Sequence, residues 1–226
     1  MEREKLRELA ALIYPSRCPV CGEVIGANDC FCEKCTEILV RCEEDFSVKG
    51  CAGTVAAYEY RPNMKEAIML MKRGVMGNAP FAFGSAVAER ILEKGFDKAD
   101  LLIPVPMFKS DLHRRGANQS QLIAVEVGRR LGIRVDAKSV VKSVETLPQK
   151  ELRKREREVN MRGAFKVAAP DVISGKTIIL IDDLCTTGST LAELASVLLE
   201  AGAAKVYCAC ACKAVKNDEN EQEDVI

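Results

Sequence analysis

Apolar residues recur along this chain with two periods, and each predicts an element. Ile178 to Ile181 is an unbroken apolar run between Lys176 and the acid pair Asp182-Asp183. Such a run suits a strand buried on both faces of a parallel sheet, here one that closes at the acids. Leu191 to Glu200 then repeats with helical period and stops at Gly202, a natural helix terminator. Upstream, Thr54–Tyr60 alternates like a strand. Met64, Ala67, Ile68 and Met71 share one helical face over 63–72, and Ala86, Val87, Ile91 and Leu92 give a helix from Gly77 to near Gly95. Further strands are expected at 100–106, 135–144 and 163–167, and a helix over Gln119–Leu131. The last strand, Lys205 to Cys212, alternates with period two, which puts Cys208, Cys210 and Cys212 on one face. Leu6, Leu9, Leu12 and Ile13 mark a short amphipathic helix over 2–13, stopped by Tyr14-Pro15. Strand, short loop and helix in this order indicate an α/β chain whose ligand sits at the carboxyl ends of parallel strands.

Two stretches fall outside the periodic pattern. Residues 147–163 carry six Lys or Arg against three Glu. They read either as a solvated helix held by charge pairs one turn apart or as a mobile basic flap. The segment beyond Lys213, rich in Asn, Asp, Glu and Gln, reads as a disordered acidic tail over 214–226.

Composition narrows the partners. The chain of 226 residues has 33 basic and 33 acidic side chains, so no global field selects nucleic acid or membrane. The amino terminus is charged and unlike a signal peptide, and no apolar run approaches the length of a membrane-spanning helix. A cytoplasmic protein is expected, and its eleven cysteines then lie in a reducing compartment. With one histidine, His113, mechanisms needing two are excluded.

The cysteine spacing is specific. Cys18-x-x-Cys21 and Cys32-x-x-Cys35, ten residues apart, can bring four thiolates to a tetrahedral structural Zn2+. Gly22 suits the tight turn that lets backbone N–H groups approach the sulfurs. Cys30 is the alternative to Cys32, but only Cys32 keeps the two-residue spacing, and a set of free thiols is the plainer reading of all of them. Cys42 and Cys51 have no second Cys-x-x-Cys around them and read either as remnants of a second metal knuckle or, the favoured reading, as ordinary thiols.

The chemistry centres on Asp182-Asp183-Leu-Cys-Thr186-Thr187-Gly188-Ser189-Thr190. The first N–H groups of the following helix attract phosphate, the hydroxyls add donors, and Gly188 lets backbone approach closely. The acids would repel a phosphate, so they face something else: ribose hydroxyls and a magnesium ion both suit them. Sugar and phosphate linked in one ligand describe a ribose 5-phosphate. The bland alternative is a Ser/Thr helix cap following a strand that ends in two acids. A basic turn with Lys109, His113, Arg114 and Arg115 follows the strand at 100–106 and can bring cations to a pyrophosphate, His113 itself being simply exposed.

The ten residues Ile181 to Thr190 closely resemble the phosphoribosyl-pyrophosphate signature of type I phosphoribosyltransferases. Together with the Cys-x-x-Cys pair, Ile-Pro-Val-Pro at 103–106, Arg-Arg-Gly-x-Asn-Gln-Ser at 114–120 and the Pro-Gln-Lys and Asn-x-Arg-Gly-Ala-Phe stretches at 148–165, they make the chain from about Tyr14 to Cys212 similar to the ComF family of competence-associated proteins. The resemblance implies a zinc ribbon with a leading helix over 1–52 and a Rossmann-like type I phosphoribosyltransferase domain over 53–213, a parallel sheet with helices on both faces. It implies Asp182 and Asp183 at the ribose and magnesium and Thr186, Thr187, Gly188, Ser189 and Thr190 at the 5-phosphate. Cations such as Arg115 and Lys150 would meet the leaving pyrophosphate. The activity implied is pentosyl transfer from phosphoribosyl pyrophosphate with Mg2+ to an unnamed acceptor, linked to DNA uptake and natural transformation. The chain departs from the family pattern in lacking a second cysteine knuckle and in carrying Ala117 where an aromatic is usual. A rival reading is a non-catalytic module that binds single-stranded DNA or docks on competence-machinery proteins, using basic stretches at 109–115 and 150–162 with Tyr58, Tyr60 and Phe165. A sensor of phosphoribosyl pyrophosphate lies between the two. Glutamine-dependent amidotransfer needs a nucleophilic cysteine at a processed amino terminus, and here Glu2 follows Met1.

Overall fold

The computed structural model describes residues 2–44, 46–73, 77–144 and 163–215. Five strands form one wholly parallel sheet: β1 (Gly53–Glu59), β2 (Leu101–Pro104), β3 (Arg134–Val135), β6 (Thr177–Cys185) and β7 (Lys205–Lys213), in the spatial order β1-β7-β6-β2-β3. A separate antiparallel ribbon pairs β4 (Val140–Lys142) with β5 (Phe165–Val167). The helices are α1 (Glu2–Ala11), α2 (Glu33–Ile38), α3 (Pro62–Lys72), α4 (Ala79–Glu93), α5 (Lys109–Arg115), α6 (Gln119–Leu131), α7 (Pro170–Ile173) and α8 (Ser189–Glu200).

Local chemistry explains the boundaries. α3 has Pro62 in its first turn, where the missing N–H costs nothing. α6 starts at Asn118, whose side-chain oxygen accepts the Gln121 N–H, and ends on Gly132 at φ +71°. β6 lies between β7 and β2, and Ile178, Ile179, Leu180 and Ile181 are fully buried. Two cores flank it. On one side Ile178 and Leu180 join Leu191, Leu194 and Leu198 of α8. On the other Ile179 and Ile181 join Met64, Ile68 and Met71 of α3, Phe83 and Val87 of α4, and Ile123 of α6. Each such side chain stabilises the fold by about 1.5–3 kcal/mol through burial, so these layers fix where β6 delivers its acids.

The structure departs from the sequence expectations in several places. β6 does not stop at the acids but runs on to Cys185. The strand expected over 135–144 is two short strands in different sheets. Between them the buried Asp136 accepts the N–H groups of Lys138 and Ser139 at 2.8 and 3.0 Å and the Ser139 hydroxyl, a turn that breaks the strand. Lys109–Arg115, read as a basic turn, is a helix. Cys208 and Cys210 belong to the core under α8, but Cys212 belongs to the opposite one with Ala209 and Ala211. The alternation of β6 slips likewise: Ile179, Ile181 and then Leu184 pack on one side, Cys185 on the other. α1 exists, but Leu6 and Leu9 are 64% and 63% exposed, so its apolar face is not packed. The basic stretch at 147–162, with Lys150, lies outside the described residues, as does the tail from 216.

Candidate functional site

The carboxyl edge of the sheet gathers groups from four elements. β6 brings Asp182 and Asp183, the amino end of α6 brings Ser120, α3 ends in Lys72, and α8 begins at the hydroxyl loop. Asp182 Oδ1 accepts the Ser120 hydroxyl at 3.0 Å and the Asp183 N–H at 2.9 Å. Asp183, 7% exposed, has Oδ2 at 3.2 Å from the Lys72 ammonium. Burial and then the neighbouring Asp183 charge push the Asp182 carboxyl up to about 7, against the pull of Lys72. Burial alone would lower Lys72, but Asp183 and Asp182 outweigh it and hold it above its ordinary value. The charge of Arg115 opposes them there, which places Arg115 within electrostatic reach of this edge.

The loop is anchored from below. Gly188 takes φ +79° as the helix cap, and a Cβ there would stand 3.1 Å from Val48 Cγ2. The left-handed conformation and the close approach together require glycine. Thr187 Oγ1 lies 3.0 Å from Ser189 Oγ. Lys213, at the end of β7, donates to the carbonyls of Thr186 and Ala214 at 2.9 and 2.6 Å. The first turn of α8 carries no acidic side chain, so its N–H groups keep their attraction for an anion.

The structure brings together Asp182, Asp183, Thr186, Thr187, Gly188, Ser189 and Thr190 along one continuous stretch of β6 and α8, with Arg115 near it. Sequence reasoning missed Lys72, Ser120 and Lys213. For Ser120 a signal existed: it closes the Asn118-Gln119-Ser120 triplet, and all three side chains are used. Asn118 donates to the Val105 carbonyl at 2.9 Å, and the buried Gln119 donates to Met71 at 3.2 Å. The triplet therefore ties α6 to the end of α3, next to Lys72. Lys72 and Lys213 gave no signal, because each finds its partner only through the sheet.

The second cluster lies in the amino-terminal unit. The sulfurs of Cys18, Cys21, Cys32 and Cys35 all lie within 4.8 Å of one another, so the structure assembles the four expected thiols as a set placed to hold a metal ion. The knuckle closes with the Gly22 N–H on the Cys18 carbonyl at 2.9 Å, Gly22 being at φ +77°. Burial would raise the Cys18 thiol, but backbone N–H groups of Cys32, Cys21 and Val20 outweigh it and hold it at about 7. Cys30 stands outside this set, and burial raises its thiol. Cys42 is buried, and Cys51 meets Cys208 sulfur to sulfur at 2.9 Å.

A groove of about 2010 Å³ lies between this unit and α4 and α6, lined in part by Arg7, Phe31, Phe81, Glu126 and Arg130. Its acidic side chains outnumber its basic ones by six to four. Among the described residues no helix is long and apolar enough to cross a membrane.

Comparison with known proteins agrees with this layout. Residues 117–226 match the phosphoribosyl transferase domain. The chain is 31% identical to the DNA utilization protein YhgH of Shigella flexneri over 70% of this chain and 71% of that protein. It is 33% identical to competence protein F of Haemophilus influenzae over 47% of each chain, and 28% identical to competence protein ComFC of Bacillus subtilis over 89% of this chain and 78% of that one. Its fold is a type I phosphoribosyltransferase-like parallel sheet joined to a small amino-terminal cysteine ribbon, and the chain belongs to the ComF family.

Proposed function

We propose that this chain binds phosphoribosyl pyrophosphate at the carboxyl edge of the sheet and works in the cytoplasm in the handling of incoming DNA. The observation that carries the reading is the placement of an acid pair and a helix amino terminus on one strand–loop–helix unit. The N–H groups and hydroxyls of Thr186 to Thr190 would hold the 5-phosphate. Asp182 and Asp183 would accept hydrogen bonds from the ribose hydroxyls. Arg115 and Lys150 would face the pyrophosphate. Departure of pyrophosphate leaves positive charge on the ribose ring, so the chain's task is to hold both ends of the ligand and exclude water. The acceptor is left open, and catalysis follows only if one exists. Magnesium fits as the companion of the pyrophosphate. It does not fit as a direct ligand of the acid pair, because a lysine already stands there.

Zn2+ suits the four thiols, which are soft donors gathered within 4.8 Å of one another, and it would hold the amino-terminal unit together. We divide the chain as a ribbon unit over 1–52, a sheet domain over 53–213 and a tail beyond.

Calorimetric titration with phosphoribosyl pyrophosphate and Mg2+ tests the reading, comparing native protein with Asp183→Asn. Heat of binding that the substitution weakens supports it; no heat from the zinc-loaded native chain rejects it. The relatives named for DNA utilization and competence support a second reading, a module that binds single-stranded DNA or docks on a competence protein. The acid-rich groove is a poor seat for DNA, which leaves the basic helix α5 and the stretch at 150–162. Binding of labelled oligonucleotide that falls steeply with salt, and falls again in Arg153→Ala/Arg155→Ala/Arg157→Ala, would favour it.

A further inference from the structure

Lys72 is the charged group of the site that neither the motif nor the phosphate chemistry explains. It is the last residue of α3, an 11-residue helix whose buried face is Met64, Ala67, Ile68 and Met71. That face fixes the helix against the sheet, and the Gln119 side chain holds the Met71 carbonyl at 3.2 Å. The ammonium therefore reaches the acids from a rigid base, at the helix end where a cation is favoured. Its side chain is 28% exposed and that of Asp183 10%, so the 3.2 Å contact is largely shielded from water.

Partners already take up half of the acid pair. Asp182 Oδ1 serves Ser120 and the Asp183 N–H, and Asp183 Oδ2 serves Lys72. A divalent ion bridging the two carboxylates would sit against a fixed ammonium, and with Arg115 also within electrostatic reach the repulsion is considerable. Sugar hydroxyls meet no such penalty, since they donate to the remaining carboxylate oxygens without adding charge.

We propose that Lys72 is the built-in cation of the acid pair, a positioning residue that takes the place of a directly coordinated divalent ion. The pair is thereby reserved for hydroxyl donors, its charge is partly cancelled before an anionic ligand arrives, and any magnesium enters only on the ligand's pyrophosphate, which ribose 5-phosphate lacks. This goes beyond the proposed phosphoribosyl pyrophosphate site by assigning its metal dependence to the ligand rather than to the protein.

The test is Mn2+ binding followed by electron paramagnetic resonance on zinc-loaded, full-length protein without sugar phosphate. Native protein and Lys72→Arg should take up no Mn2+ at the pair. Lys72→Met and Lys72→Gln should each gain one site, with affinity roughly tenfold or more above any residual native binding, and Asp183→Asn added to either should abolish it. A merely structural lysine would not produce a new metal signal that arginine suppresses. Native uptake of Mn2+ that Asp183→Asn removes would overturn the proposal. So would folded Lys72→Met and Lys72→Gln proteins that gain no site. A parallel titration with ribose 5-phosphate separates the two readings. Equal affinity in EDTA and in Mg2+ supports the proposal. Magnesium-dependent binding overturns it. If ribose 5-phosphate does not bind while the lysine variants gain Mn2+, the sugar-phosphate reading fails and the role of Lys72 stands.

Discussion

Around Cys18, Cys32 and Cys35 the apolar company consists of Val20, Ile25 and Phe31, and Leu12, Ile13 and Tyr14 just before them are more than 80% exposed. Around the acid pair, by contrast, β6 lies between two cores that draw on ten other strands and helices, and its run from Ile178 to Ile181 is fully buried. The first unit has polar ligands and almost no core; the second has a core so complete that two carboxylates and a lysine can be carried at its edge. On the proposed reading, an ion held by the four thiols would order the ribbon beyond what Val20, Phe31 and Leu39 gain by packing on the main core, whereas order at the ligand edge comes from packing that the polar groups merely exploit. The two regions should therefore fail independently and by different treatments.

Removing a metal ligand should give the largest effect. Cys35→Ala, or exhaustive chelation, is expected to release the bound ion and unfold residues 14–40, since structural zinc contributes about 10–16 kcal/mol of apparent binding energy in comparable peptides. Metal analysis with limited proteolysis checks this: cuts should fall in the ribbon while the sheet resists. A protein whose ribbon stays intact without metal would erase the contrast. Next comes Leu194→Ala in α8, fully buried, expected to cost about 2–5 kcal/mol in urea unfolding with metal content unchanged. Gly188→Ala ranks third. It forces φ +79° on a residue with a Cβ and crowds Val48, so ribose 5-phosphate affinity should drop about tenfold, given a left-handed penalty of roughly 1–2 kcal/mol. The smallest effect is in pH. The Asp182 carboxyl sits at about 7 in the folded chain against an ordinary 3.8. Its contribution to stability is full at pH below 3.8, declines as pH rises, and is gone above about 7. Asp182→Asn should flatten that decline in denaturation curves measured from pH 4 to 8.

How much of this was legible in sequence follows the same division. The four cysteines could be read because metal geometry is written in local spacing. β6 and α8 could be read because a doubly buried strand and an amphipathic helix have unmistakable periods. What escaped was set by distant partners. The sequence pattern ends the strand at the acids; the structure carries it on, paired with β7 as far as Cys185 and Lys213, with Ser120 and Lys72 meeting the two carboxylates. Cys212 was assigned to the wrong face because the alternation slips where the acids lie. The break at Asp136 was hidden in an apolar run, since a single buried turn former outweighs strand propensity.

Val48 under Gly188 has a bearing on how the protein can be taken apart. It belongs to residues 46–51, where Gly50 faces Ala195 of α8, Cys51 meets Cys208, and the Phe46 carbonyl accepts the Thr54 hydroxyl. The stretch that joins ribbon to sheet is thus the floor of the ligand loop. A gene fragment beginning at Gly53 would express a sheet with its loop undercut, and a null result from such a fragment would speak about the missing floor rather than about the site.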